Sequence, residues 1–118
     1  MEREIRIIEK PMLLSELAKA AREGFFGEYV KAVVDIENEI MAIGGEFHAD
    51  AQAVLLQQGS LRENLWSVNL YPSKSGEERI VFSSMINVRP SEGNRSRDVE
   101  DAAVREKIQN VVEKLVIQ

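Results

Sequence analysis

One histidine, His48, stands in the chain, within Glu46-Phe47-His48-Ala49-Asp50. In an extended stretch alternate side chains point the same way, so Glu46, His48 and Asp50 would share a face. Two carboxylates beside an imidazole can orient it as a general base, which makes these three the candidate catalytic set. The competing reading is structural: Asp50 caps a following helix, Glu46 is solvated and His48 bonds locally. With a single histidine and no cysteine, no metal centre is expected.

A second cluster comprises Asn87, Arg89, Gly93, Asn94, Arg95 and Arg97. Arginine presents a planar fork of donors that matches a carboxylate or phosphate, and Gly93 permits close backbone approach to a ligand. These six are the candidate ligand-binding residues, for an anionic small molecule. The competing reading pairs the arginines with Glu92, Asp98, Glu100 and Asp101, as weak surface ion pairs. The loop is not a Walker motif, because no Lys-Ser/Thr follows at the required glycine spacing. Ser67, Asn69 and Ser83 supply a polar sheet face between the two clusters. A single site requires both clusters to meet above that face, with His48 near Arg95.

Several elements must position these groups. Glu4–Glu9 reads as a short strand stopped by Pro11. Ser15 is a candidate N-cap for a short helix over 15–23 that Gly24 ends. Residues 28–47 admit two readings. As a helix, Tyr29, Val33, Ile36, Ile40 and Ile43 share one face, opposite Lys31, Asp35, Asn38 and Glu39. As a hairpin, Val30–Ile36 pairs with Ile40–Phe47 around a turn in which Asn38 or a neighbour takes positive φ. The density of β-branched residues tips the balance toward the hairpin. Asp50 is the expected N-cap of a helix over Ala51–Gln58, ended by Gly59.

Leu65–Tyr71 and Arg79–Arg89 both alternate and are expected to pair across Pro72–Glu78, with Leu70 facing Ile80, Val68 facing Phe82 and Asn69 facing Val81. Pro90 would end the second strand. Asp98, Glu100 and Asp101 crowd the start of a final helix whose apolar stripe is Val104, Ile108, Val111, Val112 and Leu115. The expected fold is α+β: an antiparallel sheet of about four to five strands, with a long C-terminal helix and shorter helices packed on one face.

Length and composition limit the function classes. At 118 residues the chain is expected to form one domain, residues 1–118. Its 44% apolar and 30% charged content places it among globular chains. The absence of cysteine excludes thiol chemistry and disulfides. A net charge of −5 disfavours nucleic acid as a partner. No apolar run approaches the ~20 residues that span a bilayer, and the first apolar cluster is interrupted by Arg6. The expectation is a cytoplasmic protein with no membrane partner. A dinucleotide-binding turn is missing, and the sequence specifies no cofactor.

An ordered set of short motifs also carries a resemblance: Gly44-Gly45-Glu46-Phe47-His48-Ala49-Asp50, Gln58-Gly59-Ser60, Leu65-Trp66, Asn69 to Pro72, Ser84-Met85-Ile86-Asn87-Val88-Arg89-Pro90 and Gly93-Asn94-Arg95-Ser96. From about Val30 onward the chain resembles a small prokaryotic family catalogued as domain of unknown function 5674. It departs in having Ser67 where the family pattern has glycine, and Ala102 where proline is frequent. The resemblance implies that the His48 and Arg95 segments belong to family motifs; it implies no activity. Two functions are carried forward: a site for an anionic small molecule, and a non-catalytic, homo-oligomeric interaction module that covers its sheet edges by self-association.

Overall fold

The computed structural model describes residues 5–118. The first strand, β1 (Arg6–Ile8), lies within the span expected for it, whose first residue, Glu4, is outside the described residues. A two-residue strand, β2 (Met12–Leu13), leads directly into α1 (Leu14–Glu23). Glu16 rather than Ser15 caps that helix: its carboxylate accepts the Leu13 backbone N–H at 2.8 Å.

The 28–47 segment is a hairpin of β3 (Val30–Asp35) and β4 (Ile40–Ile43), with Val34 opposite Met41. The β-branched run prevails over the helical spacing. The residue with positive φ is Glu39, at 59°. Asp35 organises the turn. Its buried carboxylate accepts from the Glu37 and Asn38 backbone N–H groups (3.0 and 2.9 Å), the Asn38 amide (2.9 Å) and the Ser60 hydroxyl (2.6 Å). Asp35 is thus a turn device.

Helix α2 (His48–Gln57) follows, then β5 (Leu65–Leu70), β6 (Ile80–Val81), α3 (Ala102–Leu115) and β7 (Val116–Ile117). Gly59 ends α2 at φ 108°, as expected. Asp101 caps α3 by accepting the Ala103 N–H at 2.8 Å. The five-stranded antiparallel sheet has the order β1-β4-β3-β5-β6, and β2 pairs in parallel with β7 in a separate two-stranded ribbon.

The α+β class is as expected, but the helices divide between the two faces. Ala32, Val34, Met41, Trp66, Val68 and Leu70 pack beneath Leu17 and Ala21 of α1 and Ile108, Val111, Val112 and Leu115 of α3. Val33, Ala42 and Leu65 point the other way, against Ala51 and Leu55 of α2. One short helix therefore lies opposite the other two, because β3 and β4 are apolar on both faces and both need cover.

The second alternating segment is a strand only at Ile80–Val81, with Leu70 opposite Ile80 and Asn69 opposite Val81 as expected. The Val68–Phe82 pairing is absent, and Arg79–Arg89 is not one strand. The chain instead turns through short 3-10 helices at Met85–Asn87 and Pro90–Glu92. Side chains take over the edge of β5 where β6 stops. The Asn87 amide accepts the Ser67 N–H and donates to the Ser67 carbonyl, both at 2.9 Å, and the Arg89 guanidinium donates to the Leu65 carbonyl. Residues 65, 67 and 69 alternate along β5, so one sheet edge is completed by a strand and then by two side chains.

Candidate functional site

The six residues of the arginine-rich cluster separate into two groups. Asn87, Arg89 and Asn94 are buried. Arg89 lies with its guanidinium carbon 4.2 Å from the Trp66 ring centroid, and burial holds its pKa below the usual value despite Glu92 nearby. Trp66 is therefore a core ring that also stacks a cation. The Asn94 amide nitrogen is within hydrogen-bond distance of the Asn87, Asp98 and Ser96 carbonyls (2.7, 2.7 and 3.1 Å), while its oxygen accepts the Glu100 N–H at 2.8 Å. Gly93 adopts φ 91° at the tip of a tight turn closed by Arg89 and Asn94 backbone bonds. These residues build the loop, and their polar groups face inward.

Arg95 and Arg97 are exposed. Arg95 bonds through its backbone N–H to the Glu100 carboxylate at 3.0 Å. Arg97 lines a concavity of about 350 Å³ with Lys31, His48, Asn69 and Ser83, walled by Tyr29, Phe47 and Met85. The two sequence clusters thus meet above Asn69 and Ser83 through His48 and Arg97. Arg95 does not line that concavity.

Glu46 and Asp50 do not share a face with His48. The helix begins at His48 and not at Ala51, with Phe47 at the cap position, so Asp50 sits in the first turn and is exposed, as is Glu46. The alternation that would have aligned three side chains needs an extended backbone, and residues 48–50 are helical. In place of a carboxylate, the Val68 carbonyl accepts from His48 Nε2 at 2.8 Å. The imidazole is anchored, and among the described residues no acid is hydrogen-bonded to it. Among the described residues no group of three or more His, Asp or Glu side chains is arranged to hold a metal.

The concavity exists because α2 is short. Its ten residues span about 15 Å, and its buried Ala51 and Leu55 pack on β3 and β5 at Val33 and Leu65. One register step further, Lys31 lies opposite Asn69, and Tyr29 and Tyr71 continue the pattern as a stacked pair with centroids 4.9 Å apart. Lys31 is the residue that sequence reasoning missed. Its assignment to a helix surface came with the rejected reading of 28–47; strand alternation with Tyr29 and Val33 is the signal that places it.

Burial pushes the His48 pKa below its ordinary 6.5, and the charges of Lys31 and Arg97 push the same way, against the opposing hydrogen bonds to Val68 and Asn69. A base with a depressed folded pKa binds fewer protons folded than unfolded, so stability rises with pH. This contribution is complete above 6.5 and is lost as pH falls from there through the lowered folded value. Urea titrations of parent and His48→Gln are expected to show a steeper acid-side loss in the parent. Parallel profiles would contradict the assignment.

Among the described residues neither Lys31 nor Arg97 has an ion-pair partner. The site therefore joins two cations, a neutral imidazole, a hydroxyl and an amide beside the first turn of α2, where backbone N–H groups favour negative charge.

A protein-family model described as "Protein of unknown function (DUF5674)" matches residues 6–115. The match begins well before Val30, where the motif resemblance starts, and includes β1 and α1. Neither a curated protein nor a solved structure matches the chain.

Proposed function

The chain belongs to the DUF5674 family, and from that premise we propose that it binds an anionic small molecule in the concavity between Lys31, His48 and Arg97. The observation that carries this reading is a pair of cations, without acidic partners among the described residues, that line one concavity with His48, Asn69 and Ser83. Two charges of one sign on a small protein of net charge −5 are a local reversal of the field. Asn69 and Ser83 supply neutral hydrogen bonds that fix orientation. The reading is one of binding and not of catalysis, because among the described residues His48 has no carboxylate partner and its Nε2 is bonded to the backbone.

Calorimetric titration with inorganic phosphate tests it. Arg97→Ala and Lys31→Ala are each expected to weaken phosphate about tenfold or more, since a charge-assisted hydrogen bond contributes roughly 1.5–3 kcal/mol. Affinity should fall as salt rises. Equal binding by parent and both variants would remove the site.

The same site makes a spectroscopic prediction. The sole histidine gives a single, unambiguous pair of imidazole C–H resonances. Its titration midpoint should lie below the ordinary value in the free protein and rise when phosphate binds, because an anion favours the charged ring. A midpoint unmoved by saturating phosphate would place the anion elsewhere.

The homo-oligomeric interaction module remains a second reading, supported by the exposed Phe47, Leu56, Leu61 and Met85 side chains. Light scattering that reports a monomer at high concentration would remove it.

A further inference from the structure

Phe47 and Met85 are 57% and 66% exposed, and both line the concavity that holds Lys31 and Arg97. No large apolar side chain among the described residues is more exposed than Met85. Phe47 stands at the N-cap position of α2, where Ser, Thr, Asp or Asn would bond a free N–H of the first turn, and it supplies no side-chain cap. It belongs to neither apolar core. Glu46 and Asp50, before and after it in sequence, are exposed and have no ion-pair partner among the described residues. Two unpaired acids, two unpaired cations and two exposed apolar side chains are thus gathered around the start of α2.

We infer that this face docks a second copy of the chain about a two-fold axis near Phe47, with Glu46 and Asp50 of each protomer against Lys31 and Arg97 of the other. This rests on the homo-oligomeric reading above and adds the surface and its pairing. An isologous interface sets each flank of a patch against the opposite flank of its copy. The acids and the cations occupy opposite flanks. Gly45 lies so close to Ile5 that an added Cβ would meet that side chain at 3.1 Å, so Glu46 leaves beside the β1 edge of the sheet. His48 reaches β5 through the Val68 carbonyl, and Asp50, two residues on and about 200° around the helix, leaves on the flank away from β5. The cations lie on the β5 side: Lys31 is opposite Asn69, and Arg97 shares the concavity with Asn69 and Ser83. A chain of net charge −5 repels its own copies, so association needs such a local match of opposite signs. Phe47 and Met85 supply the apolar centre that a rim of charges lacks. A small anion and the partner's carboxylates then compete for the same two cations.

Sedimentation velocity of the full chain at low salt tests the pairing. The parent is expected to dimerise, with a dissociation constant that rises with salt. Glu46→Lys/Asp50→Lys and Lys31→Glu/Arg97→Glu should each raise that constant at least tenfold. An equimolar mixture of the two should recover the dimer, because every pair across the axis is again of opposite sign. Phe47→Ser in both members of the mixture separates a packed interface from bare charge attraction, and should weaken the mixed dimer at least tenfold. A monomeric parent at high concentration, a dimer that survives both double reversals, or a mixture that stays monomeric while both variants keep the parent's circular dichroism would overturn the inference. So would a mixed dimer indifferent to Phe47→Ser. Should either double reversal fail to fold, Phe47→Ser alone, at an exposed position, is expected to weaken the parent dimer by the same factor, and no change would overturn the interface. Calorimetry with inorganic phosphate keeps the two readings apart. Phosphate that binds a strictly monomeric parent would overturn the dimer and leave the anion reading standing. A dimer held by these charge pairs that phosphate neither binds nor dissociates would sustain the inference and remove the anion reading.

Discussion

Asn87→Ala is expected to lower the free energy of unfolding by about 3 kcal/mol, because it strands two buried backbone groups of a central strand at roughly 1–3 kcal/mol each. The Asn87 amide occupies the place of a peptide group beside Ser67, which is fully buried, and it also donates to the Arg97 carbonyl at 3.2 Å. The same carbonyl accepts the Ser84 N–H at 3.0 Å, so Asn87 also helps to place the Arg97 backbone. Phosphate affinity should therefore fall together with stability. Urea unfolding followed by the fluorescence of Trp66, the only tryptophan, measures the first effect. A loss under about 1 kcal/mol would mean that Ser67 finds other partners or stays unpaired at little cost.

Asp35→Ala should be comparably severe. Four donors converge on that carboxylate, including the Ser60 hydroxyl from the far end of α2. Hydrogen bonds to a charged group contribute roughly 1.5–3 kcal/mol, so removing the set is expected to cost about 3 kcal/mol or more. Asp35→Asn is isosteric but brings an amide N–H₂ into a pocket of donors, and should recover only part of the loss. Ser60→Ala removes one bond and should cost about 1–2 kcal/mol. Stability is expected to rise from Asp35→Ala through Asp35→Asn to the parent; an Asp35→Asn variant as stable as the parent would show that charge contributes nothing there.

The parts of the fold that were legible in sequence are those set by local or nearest-strand patterns. The β-branched run at Val30–Val34 specifies a strand, alternation around Leu70 and Ile80 fixes their register, and Asp101 caps its helix. Two signals were present but underweighted. Ala32-Val33-Val34 and Ile40-Met41-Ala42-Ile43 are continuous apolar runs, the mark of strands covered on both faces, and they imply a helix on each side. The segment from Phe82 to Arg89 alternates like a strand, yet long-range bonds to Ser67 and Leu65 decide its path, and no spacing within the segment reveals them. The candidate site was legible to the same extent. His48 and Arg97 face a common concavity, but Asn87, Arg89 and Asn94 are loop-builders: Asn87 and Arg89 bond to backbone groups of β5 distant in sequence, and Asn94 bonds to backbone groups of its own loop. Lys31 became visible only with the correct reading of its strand.

The parallel pairing of β2 with β7 has a consequence for synthesis. Met12 and its partner Val116 are about a hundred residues apart, and contacts of such long sequence separation slow the approach to the native state. On the ribosome β2 emerges before α3 and β7, and Met12 lacks its strand partner until translation has passed both. The ribbon is thus a latch that cannot close before Val116 and Ile117 have been made, and nascent chains halted before Val116 should remain open to proteases at Met12–Leu13.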